Sequence, residues 1–162
     1  MKFLVLLLLI GAVFMFISIL KVKAQGVDTA GVWPFYAKNP LTTPEQVLYF
    51  RLLKAMPEHI VLAQVQLSSL LGIKKGNNYR AWLNRINRMS ADFVVCNKDS
   101  SIVAVIELDD ASHQRQDRQL ADAKKDKALS SAGISVIRWQ AKNLPDEAAI
   151  RAALRPVITL DA

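Results

Sequence analysis

The chain has 162 residues, 52% of them hydrophobic and 22% charged, with a formal charge of +7 and a single cysteine. That length allows one domain with a sizeable core. One cysteine excludes an intrachain disulfide, and no Cys/His ligand set supports structural zinc, so Cys96 reads as a small core residue.

Phe3 to Leu20 is an uncharged apolar run of 18 residues. As a helix it would extend about 27 Å, enough to cross a bilayer's hydrocarbon. Two fates compete for it, a retained anchor and a cleaved signal peptide. Val22-Lys23-Ala24 imitates a cleavage site, but Lys21 and Lys23 follow the run directly, where signal peptides carry neutral residues. One lysine precedes the run and two follow it. The positive-inside tendency therefore favours a single-pass anchor over residues 1–23, in the inner (cytoplasmic) membrane, with the rest of the chain in the cytoplasm. Setting Lys2, Lys21 and Lys23 aside with the anchor lowers the charge from +7 to +4. Residues 24–41 mix Gly, Pro, Asn and Thr without periodicity and read as a linker. Its Trp33, Phe35 and Tyr36 are expected to touch headgroups or the domain surface. Residues 42–162 form the folded domain.

Thr43-Pro44-Glu45 opens a helix, with Thr43 as cap, Pro44 at the first helical position and an acid in the first turn. It is expected to run to Ala55 with Val47, Phe50, Leu52 and Leu53 buried, and to stop at Pro57. Ile60 to Val65 is a strand by its β-branched content, and Leu67 to Ile73 holds a short helical turn. Asn78 to Met89 has apolar residues at Ala81, Leu83, Ile86 and Met89, a partial helical pattern. No acid falls between Glu58 and Asp92, while Lys74, Lys75, Arg80, Arg85 and Arg88 do. Such a cluster suits the phosphates of a nucleic acid, the anionic headgroups of a membrane, or simply a solvated helix face.

Two apolar runs follow, Asp92 to Cys96 and Ile102 to Asp110, each the composition of a strand covered on both faces. Packing gives no reason for Glu107 at the end of the second run. Alternation places Glu107 and Asp109 on one side. An antiparallel hairpin with a four-residue loop, Lys98 to Ser101, sets Asp92 opposite Glu107. A five-residue loop sets Ile106 there instead unless a bulge restores the register. Asp92, Glu107 and Asp109 would then form an oxygen-rich site for a divalent cation, Mg²⁺ or Mn²⁺. Without one, like charges demand a cationic side chain among them, or the acids are merely solvated strand ends.

Gln116 to Ala132 reads as a helix closed by Gly133, Ile134 to Trp139 as a strand, and Pro145 to Leu154 as a helix followed by an extended Val157 to Leu160. Counting back from Leu129, Lys125 and Asp122 face the sheet, whereas Asp126 is expected at the surface. Lys125 could balance the acids, hold a phosphate or help activate water; its stem could equally pack while the ammonium snorkels to solvent. The order of elements defines an α/β fold, a mixed sheet with helices on its faces. There is no Gly-rich phosphate loop and no Gly-x-Ser-x-Gly elbow, so nucleotide cofactors and nucleophilic hydrolase chemistry are unsupported.

Thr43-Pro44-Glu45, Asp92-Phe93-Val94-Val95-Cys96, Ile106-Glu107-Leu108-Asp109-Asp110-Ala111-Ser112-His113, Asp122 with Lys125, and Gly133-Ile134-Ser135-Val136-Ile137-Arg138 together resemble the family catalogued as domain of unknown function 2726. More distantly they are similar to the very-short-patch-repair endonucleases of the PD-(D/E)XK nuclease superfamily. The resemblance covers Leu41 to Arg138. It implies a restriction-endonuclease-like αβββαβ core in which Asp92 and Glu107 bind Mg²⁺, Glu45 completes the metal site and His113 assists near the third strand. The superfamily's lysine, two residues after the third-strand acid, is Asp109 here; related branches tolerate an acid at that place or supply a lysine from the following helix, which would make Lys125 its substitute. The expected function is metal-dependent cleavage of DNA or RNA by a membrane-anchored enzyme. The alternative is an inactive module of the same fold that binds nucleic acid or a protein partner, and a third possibility is a scaffold on anionic lipid.

Overall fold

The computed structural model describes Ile10, Gly11, Val13, Met15, Phe16, residues 31–109 and residues 116–158, with side chains in the last stretch from 120 onward. The chain divides into two compact units, Met1–Lys38 and Asn39–Ala162. In the first, the five residues named are helical, and residues 32–38 have no regular structure and are exposed. Most of the run from Phe3 to Leu20 lies outside the described residues. Among those described, no helix is long and apolar enough to cross a membrane.

The second unit is a mixed α/β fold built on an open sheet of β1 (Ile60–Gln66), β2 (Ser90–Cys96), β3 (Ile102–Asp109) and β4 (Ser135–Gln140), in that spatial order. The first three strands form an antiparallel meander and β4 runs parallel to β3. The helices are α1 (Thr43–Ala55), α2 (Leu67–Leu70), α3 (Tyr79–Ile86), α4 (Gln116–Ser131) and α5 (Glu147–Ile158). A parallel neighbour needs a crossover, and α4 provides it. Gly133, at φ +75°, turns the chain from α4 into β4 in a conformation that a side chain would strain.

The sheet is covered on both faces, which explains the unbroken apolar runs of its two central strands. Phe93, Val95 and Ile106 point into a core with Leu48 and Leu52 of α1 and Ile150 and Leu154 of α5. Val94, Cys96 and Val105 point the other way, toward Leu67, Ile86 and Leu129. Cys96 is buried there as a free thiol.

Three local expectations are corrected. The cap of α1 is Thr42, one residue earlier than expected, so Thr43 opens the helix and Pro44 is its second residue. Both the backbone N–H and the hydroxyl of Thr42 donate to the Glu45 carboxylate, and that double closure onto Glu45 is what selects Thr42. Replacing Thr42 with Ala should lower stability by about 1 kcal/mol in thermal unfolding of the full chain. The buried stripe of α1 is Leu48, Leu52 and Ala55, whereas Val47, Phe50 and Leu53 are exposed. The helix is apolar on two adjacent faces, and periodicity does not reveal which one the sheet takes. Finally, α5 continues through Pro156 to Ile158, so Val157 does not begin an extended segment. Val157 and Ile158 pack against the core, and that contact carries the helix past the proline.

The hairpin between β2 and β3 decides whether a site can exist. Cys96 pairs with Ile102, the register of the longer loop, but the pairing shifts by one between Val95 and Cys96, and Val95 faces Ala104. Val103 is the extra residue of that bulge. Phe93 then pairs with Ile106, and one step further Asp92 faces Glu107.

Candidate functional site

Because the bulge restores the register, Asp92 and Glu107 project from the α4 side of the sheet at the end where β3 finishes. Asp92 is half-buried and continues the ladder with its side chain, accepting a hydrogen bond from the Leu108 N–H at 2.8 Å. Glu107 is 4% exposed, the one charged residue in the core among those described. Its Oε2 receives the Lys125 ammonium at 2.7 Å, and its Oε1 is buried with no hydrogen-bond partner among the described residues. Lys125 lies one turn before the buried Leu129 on α4, which is why its side chain crosses to the sheet.

Burial pushes the Glu107 carboxyl up to about 7, with the Asp92 charge adding to the effect and the Lys125 hydrogen bond and charge opposing it. Burial also raises Asp92, where the Glu45 and Asp109 charges add and the Leu108 N–H and Lys125 oppose. A carboxyl poised near neutrality beside a second carboxyl is the arrangement from which acid–base or ligand chemistry is drawn.

A second cation stands beside these acids. Arg138 stands beside Glu107 in the β3–β4 register and donates to Asp109 at 3.2 Å and to Asp126. Burial opposes the Arg138 charge, but Asp126, Asp109 and Glu107 outweigh it and hold its pKa above the ordinary value. Asp126 is thus half-buried and ion-paired, not the simple surface residue expected from its helix position. Arg138 closes one of the segments that carry the family resemblance but has no sequence signal for this role, yet it sets the charge balance of this end of the sheet.

Glu45 reaches the same end from α1. Its Oε1 accepts from Gln64 Nε2 at 3.0 Å while its Oε2 serves the helix cap. Gln64 lies between the Ala63–Phe93 and Val65–Ala91 pairs of β1, across from Asp92, and has φ +52°. A left-handed glutamine inside a strand costs about 1–3 kcal/mol and must be held by its surroundings. Nothing in the sequence marks it. Glu45 of α1 and Gln64 of β1 thus form one hydrogen-bonded pair, Glu107 of β3 and Lys125 of α4 another, and Asp92 lies on β2, the strand between them.

Lys74 and Lys75 precede α3, Arg80 and Arg85 lie on it, and Arg88 follows it; all five are exposed. His113 lies outside the described residues. Among those described, no three His, Cys, Asp or Glu side chains are gathered closely enough to hold a metal ion. The donor chemistry nonetheless suits Mg²⁺, which keeps several waters and takes only one or two carboxylates from the protein. The Oε1 of Glu107, beside Asp92 and without a partner among the described residues, is an oxygen of that kind.

The fold and these residues define an α/β domain with a carboxylate–lysine cluster at one end of an open sheet. The chain belongs to the family described as protein of unknown function DUF2726, matched over residues 37–157. No curated protein and no solved structure matches it significantly.

Proposed function

We propose that this chain is a metal-dependent phosphodiesterase acting on DNA or RNA, with a restriction-endonuclease-like core. The observation that carries this reading is the buried Glu107 oxygen beside Asp92 that has no partner among the described residues, with Lys125 on the opposite oxygen. Packing alone does not call for a carboxylate there, and leaving its oxygen unsatisfied is costly. Asp92 and Glu107 would hold Mg²⁺ or Mn²⁺, with Asp109 held in reserve by Arg138. Such a cation supplies Lewis acidity and lowers the pKa of its water. Lys125 would place a positive charge where a phosphate oxygen becomes more negative during transfer. His113 is a candidate for proton transfer. The apolar run from Phe3 to Leu20 supports the accompanying proposal of an inner-membrane anchor with the domain in the cytoplasm.

The closed Lys125–Glu107 pair favours a second reading, a module of the same fold that binds nucleic acid or a partner and cuts nothing. Calorimetry with Mg²⁺ and Mn²⁺ on the full chain and on Glu107→Ala, alongside cleavage of labelled DNA and RNA, separates the two. On the first reading, binding and cleavage disappear together in Glu107→Ala. In the parent, metal affinity should rise with pH around a midpoint near 7, as the proton leaves Glu107. Metal binding without cleavage of either polymer would favour the inactive module. An absence of metal binding would remove the catalytic reading.

A further inference from the structure

The helix that leads into the candidate site has an outward face unlike an ordinary solvated one. Tyr79, Trp82 and Arg85 follow each other at three-residue spacing on α3, so they share one side of it. Tyr79 is 63% exposed and Trp82 is 46% exposed. The Arg85 guanidinium lies over the Trp82 ring, 4.2 Å from its centroid. Exposed aromatic rings among arginines and lysines, with no acid between Glu58 and Asp92, combine π-faces with a polycationic surface.

We propose that this face is a stacking platform for single-stranded nucleic acid, with Trp82 and Tyr79 receiving bases and Lys74, Lys75 and Arg85 receiving phosphates. Every base has a π-face, but only an unpaired strand offers it to a protruding side chain, so the platform selects single strands over duplex. A lipid surface fits less well. A membrane-docking helix turns its aliphatic residues outward, whereas on α3 Leu83 is half-buried and Ile86 buried. Tyr79 and Trp82 border the stripe of Leu83 and Ile86, yet the rings are exposed while the aliphatic side chains are not, so rings and cations are presented with no aliphatic wedge to insert.

Topology ties the platform to the carboxylates. Only Asn87, Arg88 and Met89 separate α3 from β2, and Asp92 is the third residue of that strand. The Leu67 N–H donates to the Met89 carbonyl at 2.9 Å, fixing this junction against the end of β1. A strand lying along α3 is thereby led to the end of the sheet that holds Asp92 and Glu107. This last step rests on the proposed function, while strand binding itself does not.

The test is fluorescence anisotropy of a labelled oligothymidylate with the full chain in neutral detergent micelles, in EDTA, with a blunt duplex and phosphatidylserine mixed micelles as competitors. The oligothymidylate should bind more tightly than the duplex. Trp82→Ala should weaken it about tenfold without changing the salt dependence, and Trp82→Phe should restore most of the loss. Lys75→Ala should instead reduce the salt slope by about 0.7. Tyr79→Ala supplies an independent readout if Trp82→Ala unfolds. Unchanged affinity in both aromatic variants, or a duplex that outcompetes the single strand, overturns the proposal. Binding of phosphatidylserine micelles with no binding of the strand assigns the face to lipid and overturns it too. Because EDTA removes the metal, failure here leaves the metal-binding test untouched, and failure of that test leaves this one standing.

Discussion

Replacing Lys125 with Met should destabilise the chain by about 3 kcal/mol at pH 8.5 but only about 1 kcal/mol at pH 5, measured by urea unfolding of the full chain at the two pH values. The difference comes from Glu107. Its carboxyl titrates near 7 when folded against 4.5 as a free side chain. Between those values the folded chain keeps a proton that the unfolded chain has lost. Stability therefore falls as pH rises from 4.5 toward 7 and levels off above it. A gap of that size corresponds to about 3 kcal/mol, and it exists even with the Lys125 ammonium 2.7 Å away. At pH 5 the acid is neutral in the folded state, and methionine forfeits little more than one hydrogen bond. At pH 8.5 the lysine is what compensates the buried negative charge. Without it the folded state must either bury an unpaired carboxylate or take up a proton against the solvent. Equal losses at the two pH values would show that Lys125 acts through packing alone.

The same charge explains why part of this site was legible in the sequence and part was not. A glutamate closing an apolar run is conspicuous because the hydrophobic effect gives no reason for it, and strand alternation then fixes its side of the sheet. Lys125 could be found because helical periodicity relates it to Leu129. That it would face the acids was legible too, but which of them it pairs with was not, since reaching Glu107 depends on how α4 crosses the sheet. The register was legible only as a condition. The chain meets it through a bulge at Val103, and bulges leave no mark in a run of Val, Ala and Ile. Gln64 and Arg138 were invisible for another reason. One matters through a left-handed backbone and the other through ion pairs to β3 and α4, both of which are products of tertiary structure. In α1 the pattern itself was ambiguous. Its exposed Val47, Phe50 and Leu53 look as core-like in sequence as Leu48 and Leu52.

Phe93→Ala should cost about 4 kcal/mol, the largest stability loss expected from a single truncation, and Phe93→Leu under about 1.5 kcal/mol, both read from urea midpoints of the full chain. Phe93 is fully buried in the central part of the sheet, with its ring stacked 6.2 Å from that of Tyr49 on α1. It faces Ala63 on one neighbouring strand and Ile106 on the other. Truncation removes the ring from a layer clamped between the sheet, α1 and α5, where the backbone has little room to collapse. The consequence reaches the opposite face. Phe93 and Asp92 are consecutive on β2, so the contact that holds the ring in the core also holds the carboxylate out of it. A slip of one residue would exchange them, placing Asp92 among Leu48, Leu52 and Ile150 and exposing the ring beside Glu107. That exchange is prohibitive while the ring is present and much less so once it is gone. Phe93→Ala should therefore weaken the pH dependence contributed by Glu107, while Phe93→Leu keeps it. A truncated chain that loses stability but retains the full pH dependence would show that the bulge at Val103 alone sets the register.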